Sequence, residues 1–137
     1  MMQNIYATCI NLNSKGVLIL GPSGSGKSDL ALRLMTLFSA KLVSDDRTEV
    51  QNDNGCLEAN APEILKGLLE VRGVGVIKAE YLEKTKIDVV LKLTSEKIER
   101  MPECKEYEIE GVKLPLFYIN PFEVSAPSKV VAILSLL

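Results

Sequence analysis

The chain has 137 residues and is 47% hydrophobic, enough for one core and one domain but too short for a second catalytic domain. A net charge of −2, with both signs scattered, gives no nucleic-acid surface, and the lack of histidine removes any histidine base or metal ligand. No apolar run approaches the ~20 residues of a membrane span, and the three cysteines (Cys9, Cys56, Cys104) are too dispersed for a disulfide framework.

Met1-Met2-Gln3-Asn4 lacks the basic start of a signal peptide, so the chain reads as cytoplasmic with reduced thiols. Ile5–Leu12 (IYATCINL) is β-branched and apolar and predicts a first strand. Asn13-Ser14-Lys15-Gly16 predicts a turn, with Gly16 able to take a positive φ, before a second, buried strand over Val17–Leu20. Gly21-Pro22-Ser23-Gly24-Ser25-Gly26-Lys27-Ser28 follows and fits G-x-x-x-x-G-K-[ST] at every fixed position. The glycines let backbone N–H groups turn inward on phosphate oxygens, and the following helix adds the positive end of its dipole. In such a cradle Lys27 reaches the β- and γ-phosphates and the Ser28 hydroxyl ligates magnesium. The chance alternative, a glycine-rich turn, fits less well with a strand before it and a helix after it.

That helix has Leu30, Leu34, Leu37 and Phe38 spaced as one apolar face, and ends at Ser39-Ala40. Lys41–Asp46 predicts a short strand with two acids at its C-terminal end, where open α/β sheets gather ligand groups. Asp45 comes 17 residues after Ser28, so the acids can stand beside the glycine loop. Were both to keep strand geometry, only one would face the site; the plain alternative is a polar strand-to-turn junction.

Thr48–Asn54 with Gly55 predicts an exposed strand and a turn, and Pro62–Gly67 one helical turn. Leu68–Ile77 carries two glycines and places Glu70 and Arg72 as a buried-looking acid and base, against the alternative of a surface ion pair. Ile87–Leu93 predicts a strand, and Ser95–Met101 a mixed-charge helix that would leave Arg100 solvated. Tyr107–Ile109 and Val112–Ile119 predict a hairpin around Glu110-Gly111, with Pro115 making the second arm an edge or bulged strand. A terminal helix starts near Ser125 or Ser128.

These parts suit phosphoryl transfer, which needs aligned phosphates, magnesium on oxygen ligands and neutralised charge. Asp45 and Asp46 offer a metal ligand and a base, Glu70 a further ligand, and Arg72 and Arg100 positive charge.

Three segments, GPSGSGKSDLALRL, LVSDDRTEV and LEVRGVGVI, together with the tail LPLFYINPFEVSAPSKV, resemble the HPr kinase/phosphorylase family, in its short alphaproteobacterial form, from about Ile5 to Val130. The resemblance implies a single catalytic domain over 1–137, an α/β phosphate-loop fold like that of phosphoenolpyruvate carboxykinase, and a mixed sheet with flanking helices. It implies ATP- and magnesium-dependent phosphorylation of a serine on the phosphocarrier protein HPr or a paralogue, and a homo-oligomer, the family being hexameric. By position, Asp46 matches the family's proton acceptor, Ser28 and Glu70 its magnesium ligands, Lys27 its phosphate-binding lysine and Arg100 a catalytic arginine. Arg72 lies in the signature loop.

The sequence departs from the family in three ways. The resemblance covers only the catalytic part of the full-length family, so the additional N-terminal domain of those members is expected to be absent. Tyr6 stands 15 residues before Gly21, where the family has a catalytic histidine; a phenol is a poor proton relay at neutral pH. Ile119–Glu123 lacks the arginines tied to the reverse, pyrophosphate-releasing reaction, so that activity is expected weak or absent. Two other readings stand beside the kinase: a nucleotide-binding sensor with reduced catalysis, and a small-molecule kinase. Against the last, the four arginines (Arg33, Arg47, Arg72, Arg100) are spread singly and build no lid.

Overall fold

The computed structural model describes residues 2–137, in ten strands, two α-helices and one 3-10 turn. Strands β1 (Met2–Leu12) and β2 (Lys15–Leu20) form a hairpin leading into the glycine loop and α1 (Lys27–Phe38). Next come β3 (Lys41–Ser44), β4 (Arg47–Asp53), β5 (Cys56–Asn60), a 3-10 turn (Glu63–Leu65), β6 (Leu68–Val71) and β7 (Gly75–Lys78). Strands β8 (Lys84–Leu93), β9 (Lys105–Ile109) and β10 (Val112–Ile119) precede α2 (Ala126–Leu134).

Eight strands form one mixed sheet, and β6–β7 is a separate hairpin. The order β2-β1-β4-β5-β8 closes on itself, because β8 also pairs with β2. Inside this ring lies one core of strand residues alone, including Ala7, Cys9, Leu18, Val50, Leu57 and Val90. The second core lies between the sheet and both helices, with Ile10, Val17, Ile19, Leu30, Leu34, Val89, Leu91, Val130 and Ile133. Successive residues of β1, β2 and β8 therefore serve different cores, as strand alternation requires. Both helices share one sheet face.

Strands β2, β8 and β10 run parallel, and β3, antiparallel to β1 as β2 is, points the same way. Their C-terminal ends thus share one edge of the sheet. The glycine loop leaves β2 there, Asp45 and Asp46 leave β3, and Asn120–Ser125 leaves β10.

Several local expectations are corrected. The first turn is a two-residue one, with positive φ at Asn13 (53°) and Ser14 (67°) rather than at Gly16, the twist favoured between antiparallel strands. Gly16 lies within β2, where a Cβ would overlap the Lys86 carbonyl, so its role is close backbone approach. Helix α1 buries Leu30, Ala31 and Leu34, while Leu37 (63% exposed) and Phe38 lie beyond the sheet. No helix forms over Ser95–Met101, a segment with no apolar face to bury. Strand β10 is interior, between β8 and β9; Pro115 is tolerated because the β8 ladder starts only at Leu116. Helix α2 buries Val130, Ile133 and Leu134 in its own chain's core, leaving Leu136 and Leu137 exposed. No helix among the described residues is long and apolar enough to cross a membrane.

Candidate active site

At the shared sheet edge a cavity of about 460 Å³ is lined by the glycine loop, the start of α1, Asp45, Asp46, the tip of the β6–β7 hairpin and Phe122. The loop reaches it with positive φ at Gly24 (80°) and Gly26 (100°), turns that a side chain would strain. Gly26 also abuts Pro121, so the loop after β10 braces the glycine loop. Lys27 is buried and its Nζ donates to the carbonyl oxygens of Gly21 (2.7 Å) and Pro22 (3.2 Å), spanning the loop mouth. Ser25 Oγ is buried with no hydrogen-bond partner among the described residues.

The two acids have different settings. Asp45 is buried (7% exposed), and its carboxylate accepts from the Ser28 hydroxyl at 2.5 Å, the Thr8 hydroxyl at 3.0 Å and the Glu70 N–H at 3.2 Å. A single carboxylate thereby ties α1, β1 and β6 together. Such charge-assisted bonds are the strong ones, and losing this acceptor would leave buried donors unpaired. Asp46 is exposed and takes φ 66°, which breaks the strand geometry and turns it from its neighbour. Its N–H donates to Thr8 Oγ1 at 3.2 Å, and its carbonyl accepts from Ala7 N–H at 3.0 Å. Thr8, fully buried, was not anticipated; a β-branched strand hydroxyl carries no sequence signal of its own.

Glu70 and Arg72 both reach the cavity, one on β6 and one in the hairpin turn, but both are exposed, which corrects the expectation of a buried pair. Leu69, wholly buried, plugs the hairpin into the helix-side core, and Ala79 N–H donates to Gly67 carbonyl at 2.8 Å across its base. The base of the hairpin enters that core through Leu69, with Val71 and Ile77 partly buried against it, while the turn beyond them has nothing to pack against. Arg72 lies near Gly24, 3.9 Å from where a Cβ would stand.

Arg100 is not brought to the cavity. It lies exposed in the irregular segment after β8 and is not among the lining residues, a correction to its expected place beside the transferring group. Without a helix or a buried neighbour, nothing aims that side chain. Tyr6 is also outside the cavity. Its ring lies under the Arg47 guanidinium, 4.6 Å from the centroid, and its hydroxyl accepts from Arg47 at 2.9 Å. Cross-strand pairing of Tyr6 with Arg47 explains this contact.

Sequence reasoning missed Leu32 and Phe122 on the cavity wall. The signal available for Phe122 was an aromatic in a polar loop following a strand. Among the described residues no three acidic, cysteine or histidine side chains stand so that they could hold a metal ion by themselves. The oxygens of Ser28, Asp45 and Glu70 are hard donors that suit magnesium, which keeps waters and phosphate oxygens rather than filling an all-protein cage.

Residues 1–134 match the family model described as the HPr Serine kinase C-terminal domain. An HPr kinase/phosphorylase of Caldicellulosiruptor bescii is 36% identical over 127 residues, 83% of this chain and 40% of that protein. One from Limosilactobacillus reuteri is 40% identical over 84 residues, 61% of this chain and 26% of its own length. The chain thus spans about a quarter to two fifths of these curated relatives. The solved structure of the Hpr(Ser) kinase/phosphatase from Coxiella burnetii superposes with a TM-score of 0.86, covering 97% of this chain and 94% of that one; at 21% identity the likeness is one of fold.

Proposed function

This chain belongs to the HPr serine kinase C-terminal domain family, and from that premise we propose that it transfers the γ-phosphoryl group of ATP to a serine hydroxyl of HPr or an HPr paralogue in the cytoplasm. The observation carrying this reading is the Ser28–Asp45 contact of 2.5 Å at the glycine-loop mouth, with Asp46 exposed beside it in the same cavity. Nucleotide phosphates in the loop would take over the bonds that Lys27 now makes to Gly21 and Pro22. Ser28, with Asp45 and Glu70 behind it, would hold magnesium, which would supply charge neutralisation on the phosphates. Asp46 accepts the proton of the acceptor serine as its oxygen bonds to the γ-phosphorus, while the bridging oxygen leaves with ADP. Arg72, on the hairpin turn, adds positive charge near Gly24. Arg100 takes part only if its segment rearranges. The relatives' names include a phosphorylase activity; the loop Asn120–Glu123 offers no arginine to hold inorganic phosphate, so this reverse reaction is weak or absent here.

The test mixes the chain with magnesium, γ-labelled ATP and HPr. Label on the HPr serine, lost with a Ser→Ala acceptor, is the expected result. One observation favours a second reading, a nucleotide-binding sensor: the Tyr6 hydroxyl is engaged by Arg47, and among the described residues it makes no hydrogen bond to Asp46. Tight ATP binding without transfer, restored by Tyr6→His, would establish that reading instead. Rapid pyrophosphate release from phospho-HPr would overturn the assignment of weak phosphorylase activity.

A further inference from the structure

Phe122 is 73% exposed, yet the loop that carries it is held on several sides. The Arg33 guanidinium donates to the carbonyl oxygens of Pro121 and, at 3.3 Å, Glu123. The Phe122 N–H donates to Asn120 Oδ1 at 3.0 Å, and Pro121 lies against Gly26. A large ring left mostly in water on a pinned loop adds little to packing, and its place on the wall of the cavity beside the glycine loop points to a ligand. The ring edge lies 3.9 Å from where a Gly26 Cβ would stand, so it borders the glycine loop itself.

The cavity is also polarised. Arg33, which holds the Phe122 loop, stands roughly 140° around α1 from Ser28, which holds Asp45. Leu32 falls between these directions and shares the cavity wall. Asp45, with Asp46 and Glu70, therefore lies toward the Ser28 side of the loop mouth, and the aromatic–aliphatic wall of Phe122 and Leu32 on the other, where Asp29 is already paired with Arg33 at 3.1 Å. Phosphates and the acceptor hydroxyl need the acid side. The apolar side is left with no role in phosphoryl chemistry.

We propose that Phe122 and Leu32 form the base subsite, where a nucleotide stacks its base while its phosphates lie in the Gly21–Ser28 loop. This inference rests on the nucleotide-binding reading of the same cavity. Stacking needs only a π-face, so the wall recognises the class of ligand rather than one base.

Calorimetry on the full chain with two probes, magnesium–ATP and magnesium–tripolyphosphate, separates base from phosphate binding. Phe122→Ala is expected to weaken ATP about tenfold and leave tripolyphosphate unchanged, with Phe122→Tyr restoring ATP affinity. The chain has no tryptophan, so Phe122→Trp provides a single reporter whose emission should change with ATP but not with tripolyphosphate. Equal ATP affinity in wild type and Phe122→Ala overturns the proposal, including the case where only the KM for a protein acceptor rises. Equal loss of both probes also overturns it. If the wild type binds neither probe, the nucleotide reading itself fails.

Discussion

Asp46 holds φ 66°, a conformation costing a non-glycine residue about 1 kcal/mol, and Thr8 and Ala7 offset part of that cost by bonding its N–H and carbonyl. The strain separates two adjacent acids: Asp45 turns inward as a hydrogen-bond acceptor and Asp46 outward, where the proposed function needs a base. Asp46→Asn should therefore keep ATP affinity and melting temperature while transfer falls at least ~100-fold. Lys27→Ala should lose ATP affinity as well as transfer. Calorimetry beside the labelled assay distinguishes the two variants, and normal transfer by Asp46→Asn would remove it from the base role. A third residue-scale expectation concerns Cys9, whose thiol burial pushes well above its ordinary range. Its neutral form is kept in the fold, so that stabilisation is complete below the unfolded thiol's pKa and is lost as pH rises above it. Cys56 and Cys104 are exposed. A thiol reagent at neutral pH should modify these two in the native protein and Cys9 only after unfolding; rapid modification of all three would contradict this burial.

At the scale of the element, the β6–β7 hairpin carries Glu70 and Arg72 but belongs to no larger sheet. A lone two-stranded hairpin is marginal in water, so its position depends on Leu69, on the Gly67–Ala79 bond and on the Glu70 N–H to Asp45. Leu69→Ala should cost ~2–5 kcal/mol in chemical denaturation and reduce transfer further than ATP affinity, because the hairpin tip loses its anchor while the glycine loop keeps its own. An unchanged ratio of the two would show that Leu69 is not the anchor and that the hydrogen bonds and the packing of Val71 and Ile77 hold the hairpin. Gly16→Ala tests the sheet in the same way. Its Cβ would push β2 from β8 at Lys86, closing off the ring pairing, and a loss of at least ~2 kcal/mol is expected.

Across the whole molecule, the strands shared by two cores should be the last to open. Amides of β1, β2 and β8, whose side chains enter both cores, should show the slowest hydrogen exchange; those of β6–β7 and of the Thr94–Cys104 segment the fastest. Faster exchange in β1 than in the hairpin would mean that the ring is not the stable unit. Much of this molecule was legible along the chain, because its signals are local. The glycine loop is contiguous, turns such as Asn54-Gly55 and Glu110-Gly111 declare themselves by residue type, and the strand runs alternate or are apolar throughout. That is why the strand–loop–helix unit and the nearness of Asp45 to Ser28 could be read from spacing, whereas the mixed sheet was implied only by the family resemblance. Closure of the β2-β1-β4-β5-β8 ring could not, since it depends on which edges of β8 are free when β2 and β5 arrive. Nor could the site's finer composition. Thr8, Leu32 and Phe122 join it, and Arg100 is left outside, through contacts between residues distant in the chain. Sequence by itself determined the local conformations and the chemical groups available; only the tertiary structure decided which groups face one cavity, because side-chain direction follows from packing between elements that no local pattern encodes.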